Sequence, residues 1–154
     1  MKYKKIILII LAIICFGIIF AFSSQNSSES LGLSNKLIIK TYETIHGCTL
    51  NNKEQKEIIK KYNYIVRKSA HFIIYFILGI IIIQLLSCFN INNKYKLILF
   101  SILICFIYAI TDEFHQSFTG RSARVLDVFI DTLGATVGLI LNYLLFIRKK
   151  VIKK

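Results

Sequence analysis

The chain contains no proline and no tryptophan, only one methionine, and only 18% charged residues among its 154. Without proline, nothing in it locks a kink or a rigid turn. So few charges beside 55% hydrophobic residues exclude an ordinary soluble domain and point to a small polytopic membrane protein. The four cysteines make no disulfide framework: Cys15, Cys88 and Cys105 lie in or beside apolar segments, and only Cys48 lies in a long polar stretch. No serine or cysteine stands in an evident nucleophile motif. The abundance of Ile, Lys and Asn fits AT-rich coding and a bacterial source.

A membrane-spanning helix needs about 20 largely apolar residues. Four stretches qualify: Ile6 to Phe22, Ser69 to Phe89, Leu97 to about Phe118, and Val125 to Ile147. The expected architecture is therefore an all-α helical bundle with four transmembrane helices. Ile6 to Phe22 follows Lys2, Lys4 and Lys5 and so resembles a signal peptide. It ends in bulky Phe20 and Phe22, where cleavage needs small residues, and we read it as an uncleaved anchor.

The net charge of +12 excludes little by itself, because the bases sit in short flanks of apolar runs rather than in a nucleic-acid patch. One side of the membrane receives Lys2, Lys4, Lys5, Lys94, Lys96, Arg148, Lys149, Lys150, Lys153 and Lys154, and no acid. That side is expected to be cytoplasmic, with both termini on it, in a bacterial plasma membrane. All the acids fall on the other side. The expected organisation is an anchor over residues 1–22, an extracytoplasmic segment over 23–66, a transmembrane core over 67–147 and a basic cytoplasmic tail over 148–154.

Within the outer segment, Ser23 to Ser30 has no periodicity and reads as a loop. Leu33, Leu37, Ile38, Thr41, Tyr42 and Ile45 predict an amphipathic helix ended by Gly47. Asn51 and Glu54 have capping-box spacing, Glu57 and Lys61 can pair across one turn, and Ile58, Tyr62 and Ile65 form a stripe. That second helix is expected to run straight into the second span, putting Arg67, His71 and Tyr75 on one face.

The chemistry rests on three blocks. Arg67-Lys68-Ser69-Ala70-His71-Phe72 opens the second span, with Tyr75 and Gly79 below it. Asp112-Glu113-Phe114-His115-Gln116 closes the third, followed by Gly120-Arg121. Asp127, Asp131, Gly134 and Gly138 share one face of the fourth. Leu97 to Thr111 covers only about 22 Å at the helical rise, so either the third helix continues through its acidic block or the bilayer thins, and in both cases Asp112 is expected to face away from lipid. Asp112 and His115 can then share an inward face that Gln116 extends. Gly134 and Gly138 allow another helix to approach closely and bring Asp131 to a partner. Ionisable groups at membrane depth are costly and mark function.

These blocks, from about Val66 to Gly138 with a weaker extension to Phe22-Ser23-Ser24-Gln25, resemble the VanZ family, named for a teicoplanin-resistance protein. The resemblance implies a bacterial integral membrane protein associated, in some members, with lower susceptibility to teicoplanin-like lipoglycopeptides. It implies no reaction. Relatives often carry a carboxylate at the position of Ile74 and a proline before Gly120, and this chain has neither.

The candidate polar cluster is thus Arg67, His71, Asp112, Glu113, His115, Gln116, Arg121, Asp127 and Asp131, with Gly134 and Gly138 for helix packing. One reading makes it a sealing lattice in which Arg67, Lys68, Arg121 and Arg124 neutralise the four acids. Another makes it a binding site for a lipid-linked cell-wall precursor or lipoglycopeptide, with arginines holding phosphate or carboxylate. In a third, His71 or His115 is a general base oriented by Asp112 or Asp131 on a lipid-borne substrate. A fourth, proton- or ion-coupled transport, has poor support in a cluster at one side alone. The binding role is the one we expect. No cofactor is assigned; a metal version would draw on His71, His115 and one or two carboxylates, a set that suits zinc or manganese. The expected partners are the lipid bilayer and a second copy of the chain, and not nucleic acid.

Overall fold

A computed structural model describes residues 2–25, 27–89, 91, 93–118 and 124–147. Five helices follow one another: α1 (Lys2–Ser23), α2 (Ser27–His46), α3 (Asn52–Leu86), α4 (Lys94–Phe118) and α5 (Val125–Asn142). A 3-10 turn, Ser87–Phe89, extends α3, and a π-helical turn, Tyr143–Ile147, extends α5. Among the described residues there is no strand. Four helices are long and apolar enough to cross a membrane: Tyr3–Ser23, Asn52–Phe89, Lys94–Phe118 and Val125–Ile147.

The outward faces are apolar, as lipid requires. On α1, Leu8, Ala12, Cys15 and Ile19 form a buried seam at helical spacing, while Ile6, Ile7, Ile10, Ile13 and Ile14 are exposed. Lipid tails are as apolar as leucine, so helices here associate by close fit rather than by hydrophobic drive. The fit is tightest between α3 and α5. A methyl group added at Gly79 would strike the Ala135 carbonyl, one at Gly134 the Phe72 carbonyl, and one at Gly138 the Phe76 carbonyl. Gly79, noted below the first block, therefore answers Gly134 and Gly138 from the opposite helix. Tyr108 ties α4 to α1 by donating its hydroxyl to the Phe16 carbonyl at 2.7 Å.

α2 and the start of α3 form for the expected local reasons, with three differences. Asn51 Oδ1 accepts from the backbone N–H groups of Lys53 and Glu54, both at 3.0 Å, and Glu54 Oε2 accepts from Asn51 N at 2.9 Å. This reciprocal cap starts an uninterrupted helix of 35 residues. Gly47, at φ 61°, takes the left-handed conformation that ends α2. The first difference is that α2 begins at Ser27, so the loop expected over Ser23 to Ser30 is much shorter. Docking overrides the missing periodicity: Ile38 and Ser34 are buried, and Asn63 of α3 donates to Asn35 Oδ1 at 2.8 Å. Second, Glu57 and Lys61 do not pair; the Lys61 ammonium lies over the Tyr62 ring, 5.2 Å from its centroid. Third, Ile65 is exposed, so the stripe of Ile58 and Tyr62 stops short of it.

Candidate functional site

Three spans bring their polar blocks to one end of the bundle. α4 continues through Asp112 to Gln116, one of the two ways its short apolar run allowed, and Asp112, Glu113 and Gln116 are all buried there. The glycine contacts between α3 and α5 then set His71 against Asp131. His71 Nδ1 lies 3.3 Å from Asp131 Oδ1 and 3.4 Å from Oδ2. Asp131 is fully buried, whereas His71 keeps part of its ring exposed. The carboxylate therefore orients the imidazole while part of the ring stays exposed.

Asp112 joins this pair from α4. Gln116, one turn on, donates its amide to Asp112 Oδ2 at 3.0 Å, and Ser23 at the end of α1 donates to the Asp112 carbonyl at 3.5 Å. One ligand atom each from His71, Asp112 and Asp131 lies within 4.8 Å of the others. Tyr75, one turn below His71, is fully buried, and its hydroxyl has no hydrogen-bond partner among the described residues.

The other acids are engaged elsewhere. Asp127 forms an ion pair with Lys68, both side chains being mostly buried. Glu113 Oε2 accepts from the backbone N–H of Arg124 at 3.0 Å, where α5 begins without a side-chain cap of its own. A carboxylate at a helix N-terminus is favoured by the helix dipole, so Glu113 acts as a cap lent by the neighbouring helix. Arg121 and Gly120 lie outside the described residues.

His115 is the expected residue that the fold takes elsewhere. Its ring packs on Phe20 of α1, with centroids 4.5 Å apart, and it is absent from the group of His71, Asp112 and Asp131. On a helix, Asp112 and Gln116 are four apart and superpose more closely than Asp112 and His115 do, so the inward face goes to the amide.

A cavity of about 310 Å³ opens beside the cluster, between α1, α2 and α3. Ile19, Phe22, Leu33, Leu37, Val66 and Ile74 give it apolar walls. Arg67, His71, Asp112, Ser23 and Ser34 supply its polar part.

A family model described as VanZ/LLP1 matches residues 8–147. The chain belongs to the VanZ/LLP1 family. No curated protein and no solved structure matches it significantly. In this VanZ/LLP1 member, the match reaches well beyond the stretch from Val66 to Gly138 that carried the resemblance and takes in α1 and α2. Both helices contribute walls to the cavity.

Lys68 and Ser34 were not among the candidate residues. Lys68 entered only as one of the four bases of the sealing lattice, and its pairing with Asp127 in particular depends on how α5 crosses α3. Ser34 lies in the polar half of an amphipathic pattern, where nothing in the sequence separates a groove-lining hydroxyl from a solvated one.

Proposed function

We propose that this VanZ/LLP1 member modulates the bacterial cell envelope by holding the polar head of a lipid-linked ligand at the outer leaflet. Lower susceptibility to teicoplanin-like lipoglycopeptides is the expected consequence. One observation carries the reading: a cavity of about 310 Å³ whose apolar walls lead to Arg67, His71 and Asp112. An apolar cleft with a few convergent polar groups is the usual form of a small-ligand site. An amphiphile matches both parts, its chain along Phe22, Leu33 and Leu37 and its phosphate or carboxylate toward Arg67. In this reading the site end is extracytoplasmic and both termini are cytoplasmic, in accord with the distribution of Lys and Arg.

The test is expression in a susceptible host, comparing teicoplanin with vancomycin at equal protein abundance. Ala70 lines the cavity and is exposed, so Ala70→Trp fills it from a position that tolerates bulk. The expected outcome is a selective loss of teicoplanin susceptibility with the native chain and none with Ala70→Trp. Unchanged susceptibility with the native chain refutes the assignment.

A second reading is favoured by His71, which lines this cavity as a base held by the buried Asp131 carboxylate. It makes the chain an intramembrane acid/base enzyme on a lipid-linked substrate. Chemically altered lipid-linked precursors that disappear with His71→Gln would distinguish it from binding alone.

A further inference from the structure

Beneath the cavity, Asp131 is fully buried and Asp112 is 4% exposed. Two carboxylates brought together at membrane depth repel each other and lose hydration, and such a pair persists where positive charge compensates it. A bound cation is one source of that charge.

We propose that His71, Asp112 and Asp131 form a binding site for one divalent transition-metal ion of the zinc or manganese class. The donor set is one imidazole nitrogen and two carboxylate oxygens. Such a mixed set suits zinc or manganese better than calcium or magnesium, which take oxygen alone, or copper(I), which prefers sulfur.

The geometry is close to what an ion needs. With metal–ligand bonds of about 2.1 Å, adjacent ligand atoms of a tetrahedral site stand about 3.4 Å apart. His71 Nδ1 and Asp131 Oδ1, at 3.3 Å, already have that separation. All three donor atoms fall within 4.8 Å, so Asp112 closes the site with a shift of about 1.4 Å at most, given that bond length. The Gln116 amide on Asp112 is the kind of outer hydrogen bond that orients a metal-ligating carboxylate.

Tyr75 is the independent sign of a ligand. Its hydroxyl is fully buried and unpartnered among the described residues, yet it lies within electrostatic reach of both Asp112 and Asp131. Buried hydroxyls are ordinarily hydrogen-bonded. A water held on the ion would give this hydroxyl its partner by donating to it. His71 and Asp112 also line the cavity, so the ion's open position would face whatever polar head enters it.

The experiment needs no amphiphile, and its failure leaves the envelope reading standing. The purified full-length chain in detergent is stripped with chelator, then titrated with Zn²⁺ alone and Mn²⁺ alone. Bound metal is counted after gel filtration. The expected result is one ion per chain, with affinity reduced in His71→Gln and Asp131→Asn by more than the roughly 10- to 100-fold that loss of an outer hydrogen-bond partner costs. His115→Gln should bind as the native chain does. Less than one ion per chain with both metals overturns the proposal, as does undiminished binding by folded His71→Gln and Asp131→Asn chains. Where those variants do not fold, pulsed EPR of Mn²⁺ on the native chain decides. Coupling to an imidazole nitrogen supports the site, and its absence overturns it.

Discussion

Gly134 of α5 faces the backbone carbonyl of Phe72 of α3 so closely that no side chain fits between them. Phe72 follows His71, and Asp131 precedes Gly134 by one turn, so this contact sets the distance across which imidazole and carboxylate meet.

Gly134→Ala should therefore lower stability by about 1–3 kcal/mol, the usual cost of forcing extra volume into a close-packed contact. Thermal unfolding in detergent checks it, with Gly17→Ala as the comparison. Gly17 has nothing within 4 Å of an added methyl, so that change should be harmless. Equal melting temperatures for the two variants would contradict the close-contact account.

The Lys68–Asp127 pair is neither fully buried nor exposed, at 18% and 14% side-chain exposure. Its coupling should lie between surface and buried values, at about 1–3 kcal/mol. A double-mutant cycle with Lys68→Met and Asp127→Asn measures it, and coupling near zero would mean the pair adds nothing beyond its separate residues.

Tyr108→Phe removes the hydroxyl that α4 gives to the Phe16 carbonyl. The expected loss is about 1 kcal/mol, typical of a net hydrogen bond, read as a modest fall in melting temperature with the helical content unchanged.

Cys48 is exposed just beyond α2, while Cys15 and Cys105 are buried and Cys88 is partly buried. A membrane-impermeant maleimide applied to intact cells should label the native chain once, and Cys48→Ser should remove the label. Labelling that appears only after lysis would reverse the proposed orientation.

The spans were legible because lipid permits so few alternatives: apolar length located all four, and of the two ways to meet the shortfall from Leu97 to Thr111, α4 takes the longer helix through Asp112 to Gln116. The α3 cap was equally plain in Asn51 and Glu54. Local pattern could not say which acids would meet. Glu113 and Asp112 are adjacent in sequence, yet the helical turn of 100° sends one to cap α5 and the other to His71. His115 went to Phe20 for the same reason, and Lys68 found Asp127 only through the crossing of two helices.

At about 1.5 Å per residue, the 35 residues of α3 extend about 52 Å, well beyond a hydrocarbon core of about 30 Å. The helix is thus a ruler that joins the dock of α2 to the polar site in a single angular phase. One residue inserted between Asn63 and Val66 would turn Asn63 and everything above it by about 100° while His71 still faced Asp131. The wall that α2 lends to the cavity would swing away from an unaltered floor.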